Sequence, residues 1–282
     1  MKVLVSGSNG QLGNEIKELA PAYSQTEFVF LHRNELDLND LSALEQVFHA
    51  HKPAYFINCA AYTAVDKAEE EVETAFAINA KAVGLIATQC KKSNCRLIHI
   101  STDYVFNGIS DLPFQVEDPK GPLNNYGKSK LQGEVLAVQE NPETMIIRTS
   151  WVYSTYGKNF VKTMIRLMQE KQSIQVVNDQ LGSPTYAADL ANAIMQIVHS
   201  GKWFPGIYHY SNEGIISWYD FAVEIKKLIH ASCQLLPVGS DSFPTPAKRP
   251  KYSALNTEKI KQTYSVPGRY WKDSLRQCIE KL

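Results

Sequence analysis

The sequence predicts an α/β protein with a doubly wound parallel sheet and a smaller α/β region towards its C-terminal end. Three observations predict this class. Apolar runs of strand length alternate with amphipathic helical stretches, a glycine-rich turn follows the first run, and the alternation breaks down after about residue 150. The 282 residues, 44% of them hydrophobic, supply enough apolar side chains for a full core.

The apolar runs predict five strands in the first part of the chain and two short strands later. These strands lie at residues 2–6, 28–31, 55–58, 96–101, 145–150, 173–177 and 207–210. Helices are predicted where apolar residues recur every three or four positions, as Leu12, Ile16 and Leu19 do. They lie at residues 11–20, 41–50, 65–91, 159–171, 187–199, 218–230 and 271–280. Residues 239–251 hold three prolines and predict an ordered loop.

The glycine-rich turn, G-S-N-G-Q-L-G at residues 7–13, joins the first strand to the first helix. Backbone amides at such a turn point at a pyrophosphate, and glycine lets the phosphate approach where a Cβ would collide. The spacing of Gly7, Gly10 and Gly13 is wider than the usual dinucleotide fingerprint, so a purely structural turn is the alternative. Its place between a buried strand and a helix favours a Rossmann-type fold. We therefore expect a dinucleotide-binding domain at residues 1–150.

The loop after the second strand bears on the choice between NAD and NADP. An acidic residue there would hold the adenosine ribose hydroxyls, whereas a nearby arginine accepts a 2′-phosphate. Arg33 favours NADP, and its alternative role is that of a solvated loop residue. After the third strand, the small residues at 59–61 would let the backbone pass against the cofactor.

A tyrosine and a lysine form the candidate catalytic pair. Tyr126 and Lys130 are four residues apart, so on a helix they share one face. The lysine cation would lower the pKa of the tyrosine, which passes a proton to a carbonyl oxygen as hydride reaches the carbon. Thr102 ends the fourth strand, and the carboxyl ends of parallel strands line the ligand crevice. We therefore expect Thr102 to bond the substrate oxygen beside Tyr126.

Composition excludes some partners. The 29 basic and 29 acidic side chains give a formal net charge of zero, which argues against nucleic acid and anionic membranes as partners. The sequence has no run of 18 apolar residues that could form a membrane-spanning helix, and its first apolar stretch reaches Gly7 too soon for a signal peptide. We therefore expect a cytoplasmic protein. The five scattered cysteines lack a Cys-x-x-Cys pair and predict reduced thiols.

Five stretches occur in order along nearly the whole chain. They are A-A-Y-T-A-V-D-K-A-E at 60–69, S-T-D-Y-V-F at 101–106, Y-G-K-S-K at 126–130, R-T-S-W-V-Y at 148–153 and P-T-P-A-K-R-P at 244–250. Together they resemble the extended short-chain dehydrogenases/reductases and, more closely, the dTDP-4-dehydrorhamnose reductase family. The resemblance implies reduction of the 4-keto group of dTDP-4-dehydro-β-L-rhamnose by NADPH or NADH. The product, dTDP-β-L-rhamnose, would serve cell-surface polysaccharide.

The resemblance also implies roles for individual residues. Tyr126 would donate the proton, Lys130 would hold the nicotinamide ribose, and Thr102 would orient the reacting oxygen. Cofactor contacts would fall on Gly10, Gln11, Leu12, Asp37, Leu38, Ala61, Tyr62 and Thr63. Sugar-nucleotide contacts would fall on Thr102, Asp103, Trp151, Lys248 and Arg249. The last two also have a physical reason, since a diphosphate needs cations, although two solvated basic residues are the alternative. Residues 151–282 would then be mainly a substrate-binding domain, with segments returning to complete the sheet.

Other functions stay open at this point. Sugar-nucleotide epimerases and dehydratases share the fold, but such dehydratases usually carry two acidic residues after the threonine, whereas Thr102 is followed by Asp103 and Tyr104. A non-catalytic NADP-binding regulatory subunit, similar to that of methionine adenosyltransferase, would keep the same motifs. Some relatives bind a divalent ion between subunits, for which Glu15 is a candidate without a clear partner set. Mg²⁺, a homodimer and the preference for NADPH over NADH stay open.

Overall fold

A parallel sheet lies at the centre of the molecule, which we describe from a computed structural model covering residues 1–282 apart from the side chain of Leu41. The strands are β1 (Lys2–Ser6), β2 (Glu27–Leu31), β3 (Tyr55–Asn58), β4 (Arg96–Thr102), β5 (Met145–Thr149), β6 (Val152–Tyr153), β7 (Ser173–Val177), β8 (Leu181–Gly182), β9 (Thr185–Tyr186), β10 (Gly206–His209), β11 (Ile216–Ser217) and β12 (Gln234–Val238). Among the described residues, the central sheet has six strands in the order β10-β5-β4-β3-β1-β2, and each neighbouring pair is parallel. The predicted fold class is confirmed.

Helices cover both faces of this sheet. They are α1 (Gln11–Leu19), α2 (Leu41–His51), α3 (Val72–Phe76), α4 (Ala82–Lys92), α5 (Asn125–Glu140), α6 (Phe160–Glu170), α7 (Ala187–His199), α8 (Trp218–Leu228), α9 (Glu258–Tyr264) and α10 (Trp271–Glu280). Val3 and Val5 of β1 pack in a core with α1 and α7, whereas Leu4 packs in a second core with α2 and α4. Because both faces are buried, β1 is a continuous apolar run.

The later part of the chain builds a smaller layer from β6–β9, β7–β12 and β8–β11 pairs. Its core joins Val161 and Met164 of α6, Phe221 of α8 and Leu275 of α10. The sequence prediction lacks β6, β8, β9, β11 and β12 of this layer. It also lacks α9, whose Ile260 and Tyr264 pack in the same core as Val3 and Val5. β10 and α7 lie instead with the first part, since β10 pairs with β5 and α7 packs against α1. The division at residue 150 stays a prediction.

One predicted helix is wrong in detail. The single helix predicted at residues 65–91 consists of a short 3₁₀ turn, α3, a π-helical segment at Ala77–Lys81 and α4. The π-helical turn coincides with a polar clamp: Asn79 Oδ1 accepts a bond from the Tyr62 amide at 2.9 Å, and its Nδ2 donates to Ser129 Oγ at 3.0 Å. Such insertions in helices frequently mark functional positions. Here the insertion ties the loop after β3 to α5.

Some further observations bear on partners and ions. No helix in the described part of the chain is long and apolar enough to cross a membrane. The described side chains contain no group of three or more histidine, cysteine, aspartate or glutamate residues placed to hold a metal ion. Glu15 is buried on α1, where its carboxylate accepts a bond from Ser154 Oγ at 2.6 Å. Burial raises the pKa of Glu15, and the Ser154 bond opposes that rise.

Candidate active site

The glycine turn lies between β1 and α1, where the strand order of the sheet reverses. Gly7 has a φ of +67°, and a Cβ there would lie 2.6 Å from the Ala60 nitrogen. A Cβ on Gly13 would lie 2.5 Å from the Gly7 carbonyl oxygen, so both positions need glycine for packing. Gly10 is exposed and precedes α1, which no described side chain caps. The first amides of α1 are therefore available to an anion such as a dinucleotide pyrophosphate.

A cavity of about 280 Å³ adjoins this turn at the carboxyl ends of β1 and β2. It is lined by Gly7 and Gly10 together with three residues predicted for the cofactor, Arg33, Asp37 and Leu38. Asp37 Oδ1 accepts a bond from the Asn39 amide at 3.0 Å, which orders this loop. The position of the cavity matches the adenosine end of a dinucleotide whose pyrophosphate lies at Gly10.

A larger cleft of about 570 Å³ runs from Gly10 along the carboxyl edge of the sheet. The predicted residues that line it are Gly10, Gln11, Leu12, Ala61, Thr63, Thr102, Asp103, Tyr126, Lys130 and Trp151. Tyr62 lies between two lining residues, with its backbone held by Asn79 and its hydroxyl donating to Glu71 at 2.9 Å. Gln11 is also bonded across the cleft, since its Nε2 donates to the Val152 carbonyl at 3.3 Å.

Helix α5 presents the catalytic pair to this cleft. Asn124 caps α5 by accepting a bond from the Gly127 amide at 2.8 Å. The sequence predicts that Lys130 lowers the pKa of Tyr126. In the structure, burial instead raises the pKa of Tyr126 to about 12, with a Thr102 hydrogen bond opposing. Lys130 Nζ donates to the Ile100 carbonyl at 2.6 Å.

Thr102 and Asp103 stand at the end of β4 beside Tyr126. The Thr102 hydroxyl donates to Asp103 Oδ1 at 2.9 Å, and Asp103 is 3% exposed. Burial raises the pKa of Asp103 to about 7, while bonds from Ser253 and Thr102 lower it. Asp103 Oδ2 is buried without a hydrogen-bond partner among the described atoms. A hydroxyl group of a substrate in the cleft would donate to this oxygen and give it a partner.

An aromatic wall separates the cleft from a third cavity of about 370 Å³. Trp151 lines the cleft and stacks on Trp218 of α8, with ring centroids 3.6 Å apart. Trp218 and Phe160 line the third cavity, which also includes Gln180 and Arg249. The aromatic faces and amide groups suit a nucleobase, which stacks on rings and bonds through its edge.

The two predicted cations of the proline-rich loop differ in their surroundings. The Arg249 guanidinium bonds both oxygens of Asp66, at 3.0 and 2.8 Å, and lines the third cavity. This bond holds the pKa of Asp66 below its usual value. The side chain of Lys248 is exposed and lies outside the three cavities, while its carbonyl accepts a bond from Asn124 at 2.8 Å.

Several cavity residues were not predicted from the sequence. In the catalytic cleft they include Ser150, Gly157 and Lys158, and in the third cavity they include Phe160 and Trp218. Trp218 stands at the start of an amphipathic helix, where a tryptophan is usually part of a core. No pattern in the sequence distinguishes the two uses, because the cavity forms only when α6, α8 and the loop before Arg249 meet.

The parallel sheet, the glycine turn and the Tyr126–Lys130 pair at the cleft define the class of extended short-chain dehydrogenases/reductases. The chain belongs to the family described as the RmlD substrate binding domain, which matches residues 1–282.

Named relatives are similar over nearly their whole length. The chain is 39% identical over 281 residues to the spore coat polysaccharide biosynthesis protein SpsK of Bacillus subtilis, covering 99% of this chain and 97% of the relative. It is 37% identical over 285 residues to dTDP-4-dehydrorhamnose reductase of Aggregatibacter actinomycetemcomitans, covering 98% and 97%. The crystal structure of dTDP-4-dehydrorhamnose reductase from Bacillus anthracis in complex with NADP is 37% identical and covers 100% of this chain and 99% of that one, with a TM-score of 0.95.

Proposed function

We propose that the chain is a dTDP-4-dehydrorhamnose reductase, which reduces the 4-keto group of dTDP-4-dehydro-β-L-rhamnose to give dTDP-β-L-rhamnose. The observation that carries this proposal is the cleft itself, where Tyr126, Thr102 and Lys130 line one wall beside the glycine turn. The relatives named above as dTDP-4-dehydrorhamnose reductases support the substrate. Such a product would feed the assembly of a cell-surface polysaccharide, in agreement with the name of the Bacillus subtilis relative.

The residues present fit a nicotinamide dinucleotide. The exposed Gly10 and the uncapped start of α1 suit its pyrophosphate, and the cavity with Arg33 and Asp37 suits its adenosine end. Bound there, NADPH or NADH would supply the hydride. Arg33 favours NADPH, because a guanidinium bonds a 2′-phosphate more strongly than a ribose hydroxyl.

The chain's own residues would then handle the proton and the sugar oxygen. Thr102 and Tyr126 would hold the 4-keto oxygen, and the Tyr126 hydroxyl would donate its proton there as hydride reaches the carbon. Its high pKa in the structure keeps this proton on the phenol until charge develops on the sugar oxygen. Lys130 would contact the nicotinamide ribose and stabilise the phenolate that remains.

The third cavity would hold the nucleotide part of the substrate. Trp218 and Phe160 offer ring faces to thymine, and Gln180 offers an amide to its edge. Arg249 would share its charge between Asp66 and the diphosphate, whereas Lys248 would have to reach it from the exposed loop. Trp151, in the left-handed region with a φ of +47°, would pack beside the sugar between the two cavities.

Two observations bear on the alternative functions. Position 104 is a half-buried tyrosine whose ring meets Tyr126 edge-on at 5.8 Å, so a dehydratase would lack its second carboxylate here. A regulatory subunit would keep the cleft but would not convert the substrate. We expect a cytoplasmic enzyme.

The test is turnover by the purified protein. NADPH with dTDP-4-dehydro-L-rhamnose should lose absorbance at 340 nm, and Tyr126→Phe should lower kcat by roughly 100-fold or more, the usual contribution of a general acid. NADPH affinity, measured by fluorescence titration, should change little in this variant. If a known dTDP-4-dehydrorhamnose reductase consumes the substrate but the wild-type protein does not, the result would favour the regulatory subunit. Equal loss of turnover and NADPH binding would give Tyr126 a structural role.

A further inference from the structure

A chain of buried polar side chains crosses the sheet behind the catalytic helix. It runs from Ser6 on β1 through Asn58 on β3 and His99 on β4 to Lys130 on α5, and each of the four is at most 2% exposed. Asn58 Nδ2 lies 3.1 Å from His99 Nδ1, and His99 Nε2 lies 3.4 Å from Lys130 Nζ. The reduction described above uses only the last member, so the other three need an explanation.

The orientation of Asn58 is fixed by its neighbours. Its Oδ1 accepts bonds from the Ala60 amide at 3.2 Å and from Ser6 Oγ at 2.7 Å. A backbone N–H can only donate, so the carboxamide oxygen must face it and the NH₂ group must face His99. The NH₂ group also only donates, which makes His99 Nδ1 an acceptor without a proton.

The ring of His99 is neutral, which settles its tautomer. Burial and the nearby Lys130 lower the pKa of His99 well below its usual value. A neutral ring with a bare Nδ1 carries its proton on Nε2, the nitrogen that faces Lys130 Nζ. An ammonium has only donors to offer this N–H, whereas an amine offers a lone pair. The Ile100 carbonyl accepts a further bond from Nζ at 2.6 Å in either state.

The geometry points to Asn58 and His99 as positioning residues that hold Lys130 Nζ in the cleft and destabilise its ammonium relative to its amine, so that the cation which would stabilise the phenolate is lost at a lower pH. Burial acts in the same direction and lowers the pKa of Lys130 to about 8, with the Glu134 carboxylate opposing. Because the orientation of Asn58 is fixed by a backbone amide, this preference is built into the sheet and not into a mobile side chain.

Other titratable groups near Lys130 are separable from this effect. On and beside α5 and at the ends of β3 and β4 they are Tyr126, Glu134, Arg148, Asp103 and Cys59. Glu134 is neutralised by Arg148, with which it forms a buried ion pair. The pKa of Tyr126 and that of Cys59 are both about 12, and that of Asp103 is about 7. Because the pKa of Asp103 lies close to that of Lys130, the titration of Lys130 is followed on its own side-chain NMR signals.

The tautomer of His99 gives a direct test on the cofactor-free wild-type protein. Two-dimensional ¹⁵N NMR of the histidine side chains distinguishes a protonated Nε2 from a protonated Nδ1, and the signals of His99 are those lost in His99→Gln. We expect the proton on Nε2. A proton on Nδ1 would overturn the proposal, whatever the activity of the protein.

The second test releases the tautomer. In Asn58→Leu, His99 is free to carry its proton on Nδ1 and to accept a bond from the Lys130 ammonium at Nε2. The pKa of Lys130, followed by NMR of its side chain, should rise by about one pH unit, since a hydrogen bond to the charged form favours it. Asn212→Leu is the matched control, because Asn212 is as buried as Asn58 but bonds Asp189 and Ser274 instead of His99. A folded N58L protein with an unchanged Lys130 pKa would overturn the proposal.

If the chain is the reductase proposed above, the alkaline limb of its kcat/KM profile should move upward with the Lys130 pKa in N58L and stay in place in N212L. This third readout alone rests on the proposed function. Absence of turnover together with the expected tautomer and pKa shift would contradict the reductase and support the role of Asn58 and His99.

Discussion

Arg148→Met removes one half of a buried ion pair that anchors the catalytic helix to the sheet. Glu134 lies one helical turn after Lys130 on α5, and Arg148 lies on β5 with 1% of its side chain exposed. The guanidinium bonds both carboxylate oxygens, at 2.9 and 2.7 Å. In the variant Glu134 keeps the bond from Ser101 Oγ but becomes an unpaired buried charge.

The structure sets the size of the expected loss. Two hydrogen bonds to a charged group contribute roughly 1.5–3 kcal/mol each. Removal of one partner from a buried ion pair usually costs about 3–5 kcal/mol, because the desolvated partner remains. We therefore expect Arg148→Met to lower the free energy of unfolding by about 3–5 kcal/mol. The double variant with Glu134→Leu should lose less than the single variant, since no charge is then left unpaired.

Urea unfolding followed by tryptophan fluorescence measures these losses. The matched control is Arg166→Met on the surface of α6, where the guanidinium pairs with Glu170 at 2.8 Å and both side chains are at least half exposed. That change should cost less than about 1 kcal/mol. An Arg148 variant no less stable than the Arg166 variant would refute the reasoning. So would a double variant that loses the sum of the single losses.

Three further predictions concern the site. Burial raises the pKa of Asp103 to about 7, so the contribution of this group to stability is present at low pH and is lost as pH rises through 7. In urea unfolding, D103N should therefore gain stability relative to wild type between pH 5 and pH 8. Parallel curves of stability against pH for the two proteins would contradict this. Arg33→Ala should raise the KM for NADPH about tenfold, the value of one charged hydrogen bond, while the KM for NADH stays similar. Trp218→Ala should raise the KM for the dTDP sugar by roughly two- to tenfold through lost stacking, with NADPH binding unchanged; equal effects on both ligands would place the base elsewhere.

The central strands were predictable because they are buried on both faces. β1 and β3 match the predicted bounds, and β2, β4 and β5 differ by one residue at one end, since each is mostly apolar and lies between polar turns, although His99 interrupts β4 and Arg148 interrupts β5. β12 was missed because it contains Pro237 and forms only one pairing, with β7. Its partner β7 was predicted, with a clear alternation of buried and exposed residues. The local sequence pattern therefore predicts a strand where residues are buried continuously or alternate regularly with exposed ones. It fails where the strand forms only through pairing with one neighbouring strand.

The site follows the same division. Tyr126, Lys130 and Thr102 were accessible to sequence reasoning because their chemistry and spacing are both informative. Asn79 was not, because its hydrogen bonds reach Tyr62 and Ser129, which lie 17 and 50 residues away along the chain. The predicted single helix passed through Asn79 without a break. A π-helical turn is invisible to a periodicity of 3.6 residues, because apolar residues on either side keep their local spacing.

Helix α5 combines chemistry and anchorage on one face. Tyr126, Lys130 and Glu134 follow one another at intervals of four residues, so they project from successive turns on the same side. The first reaches the cleft, the second is held between the cleft and His99, and the third is fixed to Arg148. A shift of α5 by one turn would move all three together and would leave Glu134 without its partner. The buried ion pair thus fixes the position of the catalytic tyrosine through the rigidity of the helix, although neither of its members lines the cleft.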